Sequence, residues 1–307
     1  MRPILCLLTS LLTFLTTVTA ADASVTIVPL NQKDKTAQDF SFVGSLVNIN
    51  NYSCGSGTVI GDGSFVLTSR HVITHNGRSD GMVLDPSNFA FVLDGVGYGI
   101  EKIYANNPND VAILKINGKC PKAIKIHASN NLSGKDFYGA GFGKSSSNAH
   151  YDKIDWNVEY GERRIFKNTI TGSISSIVIQ GSAIKIETEY FFYLRDPASK
   201  LAIEGEGMFG PGDSGGGLFI DNRGQLELVG VIRALTLESP ITGYFVDIYS
   251  CKKWISEIVP DAFCEEKVIS PKISSVTIRN EALPADSCIA FIEKRRRLRV
   301  KAKYEKA

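Results

Sequence analysis

Gly210-Pro211-Gly212-Asp213-Ser214-Gly215-Gly216-Gly217 is the densest run of glycine in the chain. At roughly 7% per position, a fixed five-letter string such as Asp-Ser flanked by three glycines arises by chance about 5 × 10⁻⁴ times in a chain this long. Glycines on both sides of a serine let the backbone turn sharply. They also bring amide N–H groups toward one point and leave a carbonyl room to approach. Ser214 so placed suits an acyl-transfer nucleophile with its own oxyanion hole. The plainer alternative is a glycine-rich hairpin turn.

A serine hydroxyl needs a base, and the chain has four histidines: His71, His75, His127 and His150. His71 follows Phe65-Val66-Leu67-Thr68-Ser69-Arg70, an apolar strand ending in small polar residues, which would hold an imidazole at the end of a rigid element. His75 reads as a loop residue, and His127 and His150 as surface residues. The base needs an orienting carboxylate, and Asp110 opens the apolar run Val111-Ala112-Ile113-Leu114. An acid there can be buried and still bonded to an imidazole. The competing role for Asn109-Asp110 is an ordinary Asx turn.

Outward from these positions the chain is a series of short β-rich runs bounded by Gly, Asn, Asp and Ser. They include Phe42 to Val47, Gly57 to Ile60, Phe65 to Leu67, Val111 to Leu114, Ile184 to Glu187 and Leu226 to Ile232. Long segments of period 3.6 are almost missing, which argues for barrels or sandwiches. One amphipathic run, Cys251 to Val259, predicts a lone helix stopped by Pro260, and Ile273 to Ile278 suits one further strand.

With 307 residues, 43% hydrophobic and 21% charged, the composition is that of an ordinary globular chain. The net charge of +2 conceals an asymmetry: Lys294 to Ala307 holds eight basic residues against Glu305, leaving 26 basic and 31 acidic residues upstream. A body of about −5 excludes electrostatically driven nucleic-acid binding. The basic tail, Lys294 to Lys306, suits an anionic surface or a simple solvated charge run.

Met1-Arg2-Pro3, the apolar stretch Ile4 to Val18 and the small-residue site Val18-Thr19-Ala20 have the form of a secretory signal over residues 1–20. Export implies a compartment where disulfides form. Five cysteines then remain: Cys54, Cys120, Cys251, Cys264 and Cys288. One or two bridges with a free thiol are expected, Cys251 with Cys264 being a pairing suggested by proximity alone. Asn51-Tyr52-Ser53 and Asn131-Leu132-Ser133 are glycosylation sequons wherever that machinery exists.

The three contexts, in the order His71, Asp110, Ser214, resemble the chymotrypsin/trypsin-like serine endopeptidase family, and that order differs from those of unrelated triad folds. Gly141-Phe142-Gly143 resembles the Gly-Trp-Gly that opens the second barrel. Gly243-Tyr244-Phe245-Val246 with Trp254-Ile255 resembles the last strand and closing helix. The resemblance covers about Ile27 to Val259. It implies an all-β fold of two packed six-stranded antiparallel β-barrels, over residues 27–128 and 129–259, with a short C-terminal helix closing the second. A short propeptide would occupy residues 21–26, and residues 260–307 an extension with the basic tail. Function would be that of a secreted, monomeric endopeptidase acting on proteins or peptides, with no cofactor and no nucleic-acid partner.

By the same resemblance, Ser214 attacks the scissile carbonyl, His71 moves the proton, Asp110 holds the imidazole, and the amides of Gly212 and Ser214 bind the oxyanion. Asp213 would pair with a new amino terminus at Ile27, although no Arg or Lys precedes Ile27 to direct a trypsin-like cut. Met208 stands at the floor of the specificity pocket, with Gly243 on its other wall. Without an acid there, preference for small or apolar side chains is implied over Arg or Lys. Arg233 lines the expected cleft and would either receive an acidic side chain or face outward. Val72 stands where the family usually has a cysteine after the histidine, and Gly210 where one precedes the serine loop. The altered cysteines and the activation site leave one rival, a silent homologue serving as a binding module. A periplasmic quality-control protease is disfavoured, because the 48 residues after Val259 are too few for its peptide-binding domain.

Overall fold

The computed structural model describes residues 25–26, 39–106, 109–147, 149–180 and 183–265, with the backbone alone for 25–26 and for the strand residues between 176 and 187. The expected signal segment, Ile27, Cys288, the strand expected at Ile273 to Ile278 and the basic tail lie outside the described residues.

A two-residue strand, β1 (Val25–Thr26), precedes a closed barrel. The barrel is built from β2 (Val43–Asn48), β3 (Cys54–Ile60), β4 (Phe65–Thr68), β5 (Phe89–Leu93), β6 (Val96–Asn106) and β7 (Val111–Ile116), hydrogen-bonded in the order β2-β3-β4-β7-β6-β5 with β5 returning to β2. In β5 the buried Phe89, Phe91 and Leu93 alternate with Ala90 and Val92, the period of two that one core-facing side produces. β7 is apolar almost throughout and buried at Val111, Ala112, Ile113, Leu114 and Ile116, as suits a strand covered on both faces.

The second unit comprises β8 (Asp136–Gly141), β9 (Arg164–Thr169), β10 (Gly172–Gln180), β11 (Ala183–Tyr193), β12 (Gly207–Met208), β13 (Gly217–Asp221), β14 (Leu226–Thr236) and β15 (Thr242–Asp247). Seven of these form one antiparallel sheet in the order β10-β11-β15-β14-β13-β8-β9, while β12 pairs with β1. The expected pair of β units and the short helix, α1 (Lys252–Ile258), are present. The second unit differs in detail, as seven strands curled around a core of their own.

Aromatic rings draw the ends of that sheet together: Phe137 and Phe192 meet edge to face at 4.8 Å, and Phe166 of β9 lies 6.0 Å from Phe192 of β11. Asn168 of β9 donates to Tyr193 O of β11 at 3.3 Å. A separate group of rings joins the two units, Phe40 and Phe42 packing on Phe219 of β13 at 5.6 and 5.3 Å.

The expected disulfides are not formed among the described residues. Cys54, Cys120, Cys251 and Cys264 form no disulfide with one another, which corrects the Cys251–Cys264 pairing. Cys251 is directed into the core, where its sulfur accepts from Asn109 Nδ2 at 3.0 Å, while Cys264 sits beside the Glu227 carboxylate. His127 is likewise not a surface residue. It is 13% exposed and its Nδ1 pairs with the buried Glu227, which Asn222 also supports at 2.9 Å.

Asp247 ends β15 and is 2% exposed; its carboxylate accepts from Tyr249 N at 3.0 Å and starts the turn leading into α1. Burial pushes this carboxyl up to about 6, against the opposing pull of the Tyr249 and Ser250 amides. The folded value lies above the unfolded one, so the folded state holds this proton more tightly. Its contribution to stability is full below about pH 4 and is lost as pH rises through about 6. Asp247→Asn keeps the acceptor oxygen and removes the charge. Urea unfolding across pH should show a variant-minus-wild-type difference near zero at pH 4 that grows by about 2–3 kcal/mol toward pH 8. A difference independent of pH would refute this assignment.

Candidate active site

β4 ends at Thr68 and passes into a single 3-10 turn, Arg70–Ile73, which carries His71. The carboxylate of Asp110, just before β7, accepts from His71 N at 2.8 Å through Oδ1, and Oδ2 lies 2.7 Å from His71 Nδ1. Arg70 N also donates to Asp110 O at 3.2 Å. The backbone and the ring of His71 are thus fixed by one side chain, which is 1% exposed while the imidazole keeps 18%. Burial alone would raise the Asp110 carboxyl. The His71 hydrogen bonds and charge, with the charge of Arg233, outweigh that and hold it below its ordinary value. As a carboxylate it accepts the Nδ1 proton, which leaves Nε2 as the basic nitrogen.

The loop of Ser214 joins β12 to β13. Asp213, with 0% exposure, accepts from Gly143 N and from Gly210 N, both at 2.7 Å, and Asp213 O accepts from Gly216 N at 2.8 Å. A negative charge at the centre of the loop therefore gathers amides around it. Gly215 must be glycine: its φ is +87°, and a Cβ would lie 2.1 Å from Thr68 Oγ1 and 2.3 Å from Ser56 O. Among the described residues the amides of Gly212 and Ser214 donate to no protein acceptor. The expected partner of Asp213, Ile27, lies outside the described residues.

Two elements bring the serine loop to the histidine turn. The carbonyl of Ile232 in β14 accepts from Gly215 N at 2.9 Å and from Ser69 Oγ at 2.7 Å, so the residue after Ser214 and the residue two before His71 share one oxygen. Ser56 of β3, 0% exposed, makes the second junction. Ser56 N donates to Ser214 O at 2.8 Å, its Oγ donates to Gly212 O at 3.0 Å, and the same Oγ accepts from Phe142 N at 2.9 Å. Its carbonyl accepts from Thr68 Oγ1 at 2.7 Å.

An open depression of about 500 Å³ lies on the histidine side of the site, lined by His71, Arg78, Asp80, Asp110, Arg233 and Ala234. Met208 and Gly243, expected to bound a specificity pocket, are packed. Met208 is 0% exposed, and a Cβ on Gly243 would lie 2.6 to 2.9 Å from Phe192, Phe209 and Met208 Sδ. Arg233 is held by Glu189 through a Nη1–Oε1 contact and lies with Nε 3.6 Å from Asp110 Oδ2. His75 is exposed, and His150 lies on the surface beside Asp152.

Sequence reasoning missed Ser56 and Glu189. Gly55-Ser56-Gly57 carries a signal of close backbone approach; Glu189, in a strand of mixed polarity, carries none.

Paired β units with a histidine–aspartate pair and a glycine-rich serine loop at their junction are the arrangement of a trypsin-like peptidase. Residues 55–231 match the trypsin-like peptidase domain family, and the chain belongs to that family. Among solved structures it is similar to the active form of the Rv3671c protease from M. tuberculosis. The identity is 17% over 71% of this chain and 81% of that one, at a TM-score of 0.51, a likeness of fold. The inactive form of that protease is 19% identical, covering 71% of this chain and 89% of its own, at a TM-score of 0.47, too low to bear on the argument. Curated protein sequences yield no match.

Ser56→Ala leaves the half-buried Gly212 carbonyl and Phe142 amide without their common partner. The variant should lose about 1–3 kcal/mol in chemical unfolding. Unchanged stability would mean that the two β units are joined elsewhere.

Proposed function

We propose that this chain is an exported serine endopeptidase whose catalytic groups are Ser214, His71 and Asp110. One observation carries the reading: Asp110 holds both the amide and the Nδ1 of His71, at 2.8 and 2.7 Å. The base is thereby oriented at the junction that also holds the Ser214 loop, where the amides of Gly212 and Ser214 have no protein acceptor among the described residues. Export rests on the leader of the sequence, which supplies a route out of the cytosol.

In this reading His71 Nε2 removes the Ser214 hydroxyl proton as Oγ attacks the carbonyl carbon of the substrate. The carbonyl electron pair moves onto oxygen, where the amides of Gly212 and Ser214 accept the developing charge. Collapse expels the amine, which takes the proton from His71, and leaves an ester on Ser214. Water then attacks the ester, its proton passing to His71 and on to Ser214 as the carboxylic acid departs. Asp110 stabilises the imidazolium in both halves without itself taking the proton. Asp213 holds the oxyanion loop through its two amide bonds, and a terminus released at Ile27 would add a positive partner to it.

Substrate preference follows from packing. Phe192, Phe209 and Met208 occupy the space around Gly243, leaving little volume for a long side chain and no acid to meet a basic one. Residues the size of Gly, Ala or Ser should therefore precede the scissile bond. Digestion of a peptide library should show kcat/KM at least about tenfold higher for these than for Arg, Lys or Phe. Dominant cleavage after Arg or Lys would contradict this packing argument.

Ser214→Ala should abolish hydrolysis of a denatured protein substrate and keep wild-type thermal stability, because the hydroxyl takes no part in the loop's backbone bonds. Retention of most activity would mean a different nucleophile. A folded wild-type protein without any turnover would favour the silent binding module.

A further inference from the structure

Asp110 faces a second basic side chain besides His71. His71 Nδ1 lies 2.7 Å from Oδ2, and Arg233 Nε approaches the same oxygen at 3.6 Å. The guanidinium comes from β14, across the junction from the barrel that carries Asp110, and Glu189 of β11 engages its Nη1. None of the three is freely solvated: the side chains of Arg233, Glu189 and Asp110 are 29%, 16% and 1% exposed. At 3.6 Å the Arg233–Asp110 contact is one of charge rather than a well-formed hydrogen bond.

We propose that Arg233 and Glu189 are a positioning pair that sets the charge felt by the His71–Asp110 couple, and so sets the acid limit of activity. The inference rests on the catalytic reading above. Acyl transfer makes an imidazolium at His71, which Asp110 stabilises. A guanidinium on the same carboxylate oxygen weakens that stabilisation, and Glu189 partly restores it. Because Asp110 is almost wholly buried, charges at short range act on it more strongly than they would in water.

Other charged groups near the couple are few. Arg78 and Asp80, at the mouth of the depression, pair with each other at 2.9 Å and are well exposed, so screening weakens their effect. Arg70, on the histidine turn, is buried and donates to Gly81 O at 2.9 Å. Tied to Glu189, Arg233 is not set up to receive an acidic substrate side chain, the role considered for it from sequence.

The two partners should have opposite effects. Arg233→Gln removes the positive charge beside Asp110 while keeping the negative charge of Glu189 nearby, favours the protonated form of His71 and moves the acid limb of activity to higher pH. Glu189→Gln removes the negative charge that offsets the guanidinium and moves the limb to lower pH. Each shift should be about half to one pH unit. Arg233→Lys, which keeps a positive charge, should leave the limb nearer the wild-type position than Arg233→Gln does.

The experiment follows the rate of Ser214 modification by a fluorophosphonate from pH 4 to 9 for the full chain and each variant, with Ser214→Ala as control. Limb shifts of opposite sign for Arg233→Gln and Glu189→Gln support the proposal. If Arg233→Gln does not fold, a downward shift in Glu189→Gln carries it. No shift, or shifts of the same sign, in variants that react at Ser214 overturns it while leaving the catalytic reading intact. A wild-type protein that shows no Ser214-dependent modification removes that reading, and the positioning pair with it.

Discussion

Ser56 is the point through which the two halves of the site are held to one another. Its amide, hydroxyl and carbonyl are all engaged, and three of its four bonds reach residues more than eighty positions away, at Phe142, Gly212 and Ser214. A buried polar residue with every group satisfied costs little and fixes geometry firmly, whereas one missing partner would strand a donor or an acceptor in the core. The small neighbours Gly55 and Gly57, and Gly215 opposite, make the approach possible. The serine loop is thus carried by the second sheet and located by the first barrel.

Charge is distributed on the same plan. Asp213 is wholly buried but gathers the amide of Gly210 in its own loop and that of Gly143 after β8; Asp110 is almost wholly buried but faces His71 and, at longer range, Arg233. Each carboxylate organises what surrounds it, one the backbone amides about the Ser214 loop and the other the orientation of the His71 imidazole. Asp247 shows the contrasting case: two amides and no cation do not offset its burial, and its carboxyl rises to about 6.

The parts legible in the sequence are those whose chemistry needs neighbouring residues. Short apolar runs with turn residues between them announced β structure. The glycines around Ser214, the strand end before His71 and the strand start after Asp110 each carry their context within a few positions. What could not be seen depends on partners far apart in the chain. His127 looks solvated in its own stretch and is buried against Glu227, one hundred residues on. The cysteines, expected to pair on a reading of the leader as an export signal, instead fill separate environments, Cys251 in the core against Asn109 and Cys264 beside Glu227. Met208 was visible as a residue without charge. That Phe192 and Phe209 close around it emerges only from the curl of the second sheet.

The central claim is that Ser214 is an activated nucleophile. Its most direct test is tandem mass spectrometry of the protein after reaction with a fluorophosphonate at neutral pH. The account predicts one adduct, on Ser214, suppressed when the protein is denatured beforehand. An adduct at any other residue, or none on a correctly folded protein whose amino terminus is Ile27, would contradict it.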